Sequence, residues 1–186
     1  MQTQKIKKIV IIGPESSGKS FLCENLSKHY QTIWCPEYAR AYLITHGTHY
    51  THEDLLTIAK GQLQLEEDIF QKMPSAANPV PYFIDTDMYV MKVWNEFVFQ
   101  KCHKFILDQL VHRQYDAYLL CKPDIPWIKD ELREYPDENT RLKLFHYYKD
   151  ALTHQSLPWI EIAGDYAARM EKAVRFTDEI LSGKGV

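Results

Sequence analysis

The residues with the clearest chemical pattern form a phosphate-binding loop of the type G-x-x-x-x-G-K-[ST]. They are Gly13, Pro14, Glu15, Ser16, Ser17, Gly18, Lys19 and Ser20. The two glycines let the backbone curl so that its N–H groups point at phosphate oxygens. The Lys19 ammonium can bind the β- and γ-phosphates, and the Ser20 hydroxyl can ligate Mg²⁺. The pattern therefore predicts a binding site for a nucleoside triphosphate.

A second polar group, Glu37, Tyr38 and Arg40, follows the next apolar run. Phosphoryl transfer to an alcohol needs a carboxylate near the hydroxyl, to accept or orient its proton. Glu37 fits this role, the Tyr38 ring could stack on a flat ring, and Arg40 could bind a phosphate or a substrate oxygen. The alternative is a solvated helix start, where the helix dipole favours Glu. The position at a strand end favours function.

Two acids, Asp85 and Asp87, follow the third apolar run. An acid at this place, downstream of a phosphate loop, is typical of the Mg²⁺ site of nucleotide kinases and hydrolases. Asp85 is therefore a predicted metal ligand. Asp87 has two interpretations, a substrate contact or the cap of the helix that begins at Met88. Trp94, seven residues further on, could wall the substrate pocket.

Residues 123–150 are predicted to include a lid, because the polar, proline-containing segment after the fourth apolar run has too few apolar residues for core. A lid of this kind brings arginine side chains onto transferring phosphates and excludes water. Arg133 and Arg141 are the candidates for this role. The alternative is a surface helical hairpin in which both arginines form exposed ion pairs of little energetic value.

Short apolar runs alternate with helical patterns along the chain. Strands are predicted at residues 6–12, 32–35, 81–84, 117–121 and 159–162. Helices are predicted at residues 19–30, 51–72, 88–99, 104–113, 138–154 and 165–182. This alternation indicates an α/β fold, a parallel sheet with helices on both faces, in one domain over residues 1–186. Ligands of such sheets bind beyond the carboxyl ends of the strands, so the polar groups above should meet at one edge.

Composition narrows the class of protein. The chain has 186 residues, a net charge of −3 and 45% hydrophobic residues, which is typical of a globular domain and not of a nucleic-acid-binding surface. No apolar run approaches the ~20 residues that cross a bilayer. The first apolar run follows Met1 so closely that no signal peptide is expected. The four cysteines form no C-x-x-C pair, and a cytoplasmic protein with reduced thiols is expected.

These motifs, in this order, resemble the nucleoside kinase domain at the C-terminus of bacterial NadR proteins, the ribosylnicotinamide kinases. The resemblance covers residues 8–181 and is most particular at Glu15, Ser16 and Ser17, inside the phosphate loop. It also rests on residues 37–40, 83–87, 127–133 and 159–166. It implies a P-loop kinase fold that uses ATP and Mg²⁺ to phosphorylate the 5′-hydroxyl of nicotinamide riboside, a small-molecule substrate, giving nicotinamide mononucleotide.

The resemblance also implies roles for individual residues. The predicted ATP contacts are Gly13, Glu15, Ser16, Ser17, Gly18, Lys19, Ser20 and a loop beside adenine, Gly164, Asp165 and Tyr166. Ser20 and Asp85 hold the metal. The predicted nucleoside contacts are Glu37, Tyr38, Arg40, Asp87 and Trp94. The predicted catalytic groups are Lys19, Glu37, Asp85, Arg133 and Arg141.

Several alternatives stay open at the level of sequence. The acceptor could be another nucleoside or a nucleotide, or the protein could be a regulatory ATPase that acts on a partner protein. The general base could be Glu37 or Asp85, with Glu37 preferred. NadR proteins carry an adenylyltransferase domain before the kinase, and its activity is not expected here because the chain begins at the first strand of the kinase. The sequence does not indicate an oligomeric state.

Overall fold

The computed structural model describes residues 6–73 and 78–183. Its strands are β1 (Ile6–Ile12), β2 (Trp34–Cys35), β3 (Val80–Asp85), β4 (Ala117–Cys121) and β5 (Trp159–Ile162). Its helices are α1 (Lys19–His29), α2 (Tyr38–His46), α3 (His52–Phe70), α4 (Met88–Phe99), α5 (Lys104–His112), α6 (Glu138–Thr153) and α7 (Tyr166–Ser182). Strands and helices alternate along most of the chain, as the apolar pattern predicts.

The five strands form one parallel sheet in the order β2-β3-β1-β4-β5. The first strand lies at the centre, between β3 and β4. Its register pairs Ile11 with Asp85 on β3 and Ile12 with Leu120 on β4. All carboxyl ends therefore share one edge, and the phosphate loop leaves the sheet at the middle of that edge, beside the acid that ends β3.

The sheet is buried on both faces, and alternate residues of β1 face opposite sides. Ile9 and Ile11 pack with residues of α1 and α7, among them Leu26 and Phe176. Val10 and Ile12 pack on the other side, in a cluster that includes residues of α4 and α6. A third cluster joins α2, α3, α4 and α5 outside this layer. The helices therefore hold the carboxyl edge from both sides.

Two parts of the chain differ from the sequence-based prediction. Residues 38–46 form helix α2, which was not predicted. Its buried residues Ala39 and Leu43 are four apart, so they lie on one face of the helix. The predicted lid is shorter than 123–150, because α6 begins at Glu138 and buries Leu144, Phe145 and Tyr148. The range 123–150 thus divides into an irregular segment before Glu138 and the buried start of α6.

Among the described residues, no helix combines the length and the apolar character that crossing a bilayer requires.

Candidate active site at the carboxyl edge of the sheet

The phosphate loop connects β1 to α1, and its glycines are required by geometry. Gly13 has φ +148°, and a Cβ atom there would lie 2.5 Å from the Cys121 carbonyl oxygen at the end of β4. Gly18 has φ +82° and is the N-cap of α1. Any larger residue at position 13 would collide with backbone, and position 18 needs the left-handed region that glycine adopts without strain.

Side chains inside the loop bind the loop itself. The Ser17 hydroxyl is buried and donates a hydrogen bond of 2.7 Å to the Pro14 carbonyl. The Lys19 ammonium donates to the same carbonyl at 3.0 Å, and Lys19 also lines the cavity in front of the loop. The predicted phosphate lysine therefore lies at the mouth of the loop, folded against its backbone.

Asp85 lies next to the loop at the end of β3, and its side chain is completely buried. The Ser20 hydroxyl donates to Asp85 Oδ2 at 2.5 Å, while Asp85 Oδ1 is buried and has no hydrogen-bond partner among the described residues. Burial raises the pKa of this carboxyl; Lys19 opposes the shift, and Glu37 adds to it. A hydroxyl and a carboxylate with an unused oxygen are the donors that Mg²⁺ prefers. The pair therefore fits the predicted metal site.

Glu37 and Arg40 reach the same cavity from β2 and α2. Glu37 is the N-cap of α2, but its side chain does not bond the helix end. Arg40 forms two bonds to the Asp130 carboxylate, of 2.9 and 3.3 Å, and this contact lowers the pKa of Asp130. The Glu37 carboxylate is therefore available in the cavity. Arg40 is already paired with Asp130 of the lid, the segment between β4 and α6.

The cavity has a volume of about 410 Å³ and extends from the phosphate loop to Trp94. Its inner wall is largely apolar and comes from α2, α4 and α6, with Leu43, Val90, Phe97, Leu144 and Tyr148. Its outer wall comes from the lid, with Ile125, Pro126, Ile128, Leu132, Arg133, Glu134 and Tyr135. A mostly apolar cleft with a few charged groups is the usual form of a small-molecule site.

Two predicted nucleoside contacts lie away from this cavity. The Tyr38 ring packs on α3, so closely that a Cβ atom at Gly61 would lie 2.2 Å from the ring. Asp87 caps α4 through the Tyr89 and Val90 N–H groups and accepts a bond of 2.9 Å from the Tyr118 hydroxyl. Burial raises the pKa of Asp87 to about 7. Both side chains are engaged in packing, and for Asp87 the capping interpretation matches the structure.

The two predicted lid arginines have different surroundings. Arg133 lines the cavity and its guanidinium donates to the Ile128 carbonyl, within the lid. Arg141 belongs to α6, not to the lid, and is 5% exposed. Its Nε and Nη1 atoms are buried without a hydrogen-bond partner among the described residues, and Arg141 does not line the cavity. Only Arg133 therefore faces the site.

The segment between β4 and α6, residues 122–137, holds the irregular part of the predicted lid and is tied to the phosphate loop and to the end of the cavity where Trp94 lies. The Glu15 carboxylate accepts bonds from the Glu134 and Tyr135 N–H groups, at 2.9 and 2.5 Å. The Ser16 hydroxyl accepts a longer bond of 3.4 Å from the Ile128 N–H. At the other end of the cavity, Trp94 donates to the Tyr50 hydroxyl, which donates to Glu134. Glu15 and Ser16, predicted as ATP contacts, thus bind the lid backbone.

The loop after β5 forms the other end of the site. Gly164 has φ +96°, and Asp165 caps α7 by accepting a bond from the Ala168 N–H. Tyr166 lines the cavity, and its ring lies 4.6 Å from that of Phe21. Of the three predicted adenine-loop residues, Tyr166 presents an aromatic ring to the cavity, next to the start of α1.

Sequence reasoning missed several residues at this edge. The ring of Phe21 contacts that of Tyr166, and Tyr50 binds Glu134 of the lid. Asp124 accepts a bond from the Gly164 N–H, and Arg169 donates to Ser17 of the phosphate loop. Phe21 directly follows the phosphate loop in the sequence, so its place beside a nucleotide site could have been suspected. The others are brought to the site by the tertiary fold, and no motif marks them.

Comparison with known proteins assigns the chain to a family. The sequence profile of the AAA domain family matches residues 8–169. The chain belongs to this family. The match to this AAA domain runs from β1 to α7 and includes the phosphate loop, both strand-end acids and the lid.

Two curated relatives of this AAA domain are trifunctional NAD biosynthesis/regulator proteins NadR, from Salmonella typhimurium and Escherichia coli. Each is 25% identical to the chain, and the alignments cover 97% and 95% of it. They cover 44% and 43% of the relatives, so this AAA domain spans less than half of their length. The predicted resemblance to the NadR-type P-loop kinase domain is confirmed.

Solved structures share the fold of this AAA domain. A NadR protein in complex with NR has a TM-score of 0.76 at 20% identity, over 96% of this chain and 50% of that one. A NadR protein in complex with NAD and AMP-PNP has a TM-score of 0.71 at 20% identity, over 95% and 50%. A thymidylate kinase from Ehrlichia chaffeensis has 0.62 at 14% identity, over 92% and 98%. The predicted α/β P-loop fold is confirmed.

Proposed function

We propose that this protein is a kinase that transfers the γ-phosphate of ATP to the 5′-hydroxyl of a ribonucleoside, with nicotinamide riboside as the acceptor. The observation that carries the proposal is the continuous cavity between the phosphate loop and the wall formed by Glu37 and Trp94. One end has the groups that bind a triphosphate, and the other has a carboxylate and an aromatic side chain for a nucleoside. The NadR relatives supply the choice of nicotinamide riboside.

On the nucleotide side, the phosphate loop and Lys19 would bind the triphosphate, and Tyr166 with Phe21 would border its base. Ser20 and Asp85 are the residues that would hold Mg²⁺, whose charge offsets that of the transferring phosphate. Lys19 must exchange its bond to the Pro14 carbonyl for phosphate oxygens. This exchange is favourable because the phosphate oxygens carry negative charge, whereas the Pro14 carbonyl is neutral.

On the acceptor side, Glu37 would accept or orient the proton of the attacking hydroxyl. Asp85 is the less suitable base, because its Oδ2 atom already accepts the Ser20 hydroxyl and it lies at the nucleotide end. Arg40 is proposed to bind the acceptor or a phosphate after release from Asp130. Arg133 is proposed to contribute positive charge from the lid, and Arg141 keeps this role only if α6 moves.

The direct test is to incubate the protein with Mg·ATP and nicotinamide riboside and to follow formation of nicotinamide mononucleotide and ADP. Both products are expected in equal amounts, and Lys19→Ala should abolish both because the phosphate charge is no longer bound. An absence of mononucleotide, with an active control kinase run in parallel, would exclude this acceptor.

Glu37→Gln tests the assignment of the general base. The amide keeps the size of the side chain but cannot accept the proton, so kcat should fall by ~10²-fold or more while ATP affinity is retained. Glu24→Gln, on the exposed face of α1, is the matched control and should leave kcat unchanged. Normal turnover by Glu37→Gln would assign the base elsewhere.

A second candidate is a kinase for another nucleoside or for a nucleoside monophosphate, which the fold shared with a thymidylate kinase favours. A panel of nucleosides and monophosphates, assayed by ADP release, separates the two candidates. A regulatory ATPase would instead hydrolyse ATP without any small-molecule acceptor and would respond to a partner protein.

A further inference from the structure

Arg169 is a buried arginine on α7 that binds three segments of the active-site edge. It is 3% exposed and does not line the cavity. Its Nη1 donates to the Ser17 carbonyl of the phosphate loop at 2.9 Å, and its Nε donates to the Gly164 carbonyl at 2.7 Å. Its Nη2 donates to the Lys122 carbonyl, also at 2.7 Å. One guanidinium therefore joins the phosphate loop, the start of the lid and the loop after β5.

Asp124 completes this cluster and orients the guanidinium. One carboxylate oxygen accepts a bond from Arg169 Nη2, and the other accepts the Gly164 N–H at 2.8 Å. Arginine can satisfy several acceptors at once because its N–H groups form a planar fork. A buried cation with a carboxylate and three carbonyls has little freedom to turn, so the position of the Ser17 carbonyl is fixed from below the loop.

The direction of the Ser17 carbonyl determines the direction of the next amide. In a trans peptide the C=O and the following N–H point to opposite sides, and no cis peptide occurs among the described residues. Arg169 does not line the cavity, whereas Gly18 does; because Arg169 binds the Ser17 oxygen, the Gly18 N–H lies on the opposite side of this peptide from Arg169. The positive φ of Gly18 permits this turn, which in phosphate loops aims successive N–H groups at an anion.

We propose that Arg169 is a positioning residue: by binding the Ser17 carbonyl, together with Asp124, it aims the Gly18 amide at the nucleotide phosphates. Arg169 does not touch the phosphates itself. This inference deepens the nucleotide half of the proposed function and makes no assumption about the acceptor. It predicts that phosphate binding depends on a residue that lies outside the phosphate loop, about 150 residues later in the chain.

The test measures binding of inorganic tripolyphosphate and of nicotinamide riboside by titration calorimetry, in the wild type and in Arg169→Lys. Lysine keeps the charge but has no planar fork, so it cannot hold the Ser17 carbonyl, Gly164 and Asp124 together. The Kd for tripolyphosphate should rise by about 10-fold or more, as expected for loss of hydrogen bonds from a charged donor. The Kd for nicotinamide riboside, at the far end of the cavity, should stay within about twofold of the wild-type value.

Arg113→Lys is the matched control, since Arg113 is another partly buried arginine paired with a carboxylate, Glu66, at the opposite edge of the sheet. It should lower the melting temperature without changing the tripolyphosphate Kd. Asp124→Asn removes only the carboxylate that orients Arg169, so it is the milder second variant if Arg169→Lys does not fold. It should also raise the Kd for tripolyphosphate.

The outcomes separate this inference from the proposed function. Unchanged tripolyphosphate binding in folded Arg169→Lys, or in Asp124→Asn where the lysine variant does not fold, would overturn it. So would an equal loss of tripolyphosphate and nicotinamide riboside binding, which indicates general disruption, and so would a wild type that binds no tripolyphosphate. If the wild type binds no nicotinamide riboside, the proposed acceptor fails, while loss of tripolyphosphate binding in the variant still supports the inference.

Discussion

Asp85 and Asp87 are separated by one residue, yet their carboxylates have different surroundings. Asp85 lies beside Ser20 and keeps one unused oxygen. Asp87 caps α4 and accepts the Tyr118 hydroxyl. The sequence predicts that acids at this strand end reach the carboxyl edge. It predicts Asp85 as a metal ligand and leaves Asp87 between a substrate contact and a cap, because the hydroxyl that binds Asp87 comes from Tyr118, 31 positions away on β4.

Asp87 should make the stability of the fold depend on pH. Burial raises its folded-state pKa to about 7 from the usual 3.8, so its stabilising contribution is complete below about pH 4. It is lost as the pH rises towards 7, because the buried carboxylate must then carry a charge. Asp87→Asn keeps an acceptor for the cap and should remove this loss. At pH 8 the variant should be more stable than the wild type, by on the order of 2–4 kcal/mol.

Urea unfolding at pH 5 and pH 8 measures this effect. The exposed N-cap of α6, Asp137, is the matched control, because its bond to Thr140 lowers the pKa of its carboxyl. Asp137→Asn should therefore destabilise slightly at pH 8 and not stabilise. Equal pH dependence in the wild type and in Asp87→Asn would show that Asp87 does not titrate as a buried group.

At the scale of elements, α2 is the helix that the sequence does not predict. The polar residues at its start are predicted to follow a strand, and no helix is predicted there. The helix forms because Ala39 is buried in the cluster that includes α3, and because Tyr38 fits over Gly61. Leu43 is buried on the same face of the helix. The apolar pattern of nine residues is too short to decide this, since tertiary packing supplies most of the stability of a short helix.

Gly61→Ala tests the packing of α2 on α3. Alanine is the better helix former by about 1 kcal/mol, but its Cβ would lie 2.2 Å from the Tyr38 ring. Such overpacking costs about 1–3 kcal/mol, so the variant should be less stable. In a Tyr38→Ala background the clash is gone, and the same change should be neutral or stabilising. The free energies of unfolding of the wild type, the two single variants and the double variant, from urea titration, give the coupling energy between positions 38 and 61. Additive effects would contradict the contact.

At the scale of the whole molecule, two groups of charged residues lie at opposite edges of the sheet. Those at the carboxyl edge line a cavity, and the acid Asp85 has an unused oxygen. At the amino edge, Glu66 is buried on α3 and binds Lys8, Arg113 and the Tyr115 hydroxyl. The sequence predicts the first group because strand ends and the phosphate loop mark it. It does not predict the second, because its members come from three separate segments, β1, α3 and the stretch before β4, with no shared motif.

Glu66→Gln should therefore affect stability and spare nucleotide binding. The amide cannot neutralise the two partly buried cations, and breaking one side of a buried ion pair costs about 3–5 kcal/mol. The half-exposed pair Lys149–Glu161 supplies the control, since Glu161→Gln should cost less than about 1 kcal/mol. Urea unfolding gives both values, and ATP affinity, measured on the folded variants, should not change. A weaker ATP affinity in Glu66→Gln would show that the ion pairs at the amino edge influence nucleotide binding at the carboxyl edge.

The bonds between Glu15 and the lid have a consequence for the timing of a catalytic cycle. Glu15 belongs to the loop that would surround the phosphates. Its carboxylate accepts hydrogen bonds from the Glu134 and Tyr135 amides of the lid. In the proposed kinase, movement of this segment away from the phosphate loop would break the two hydrogen bonds that Glu15 accepts. The residence time of the product would then depend on the Glu15 carboxylate, which takes no part in the transfer of the phosphoryl group.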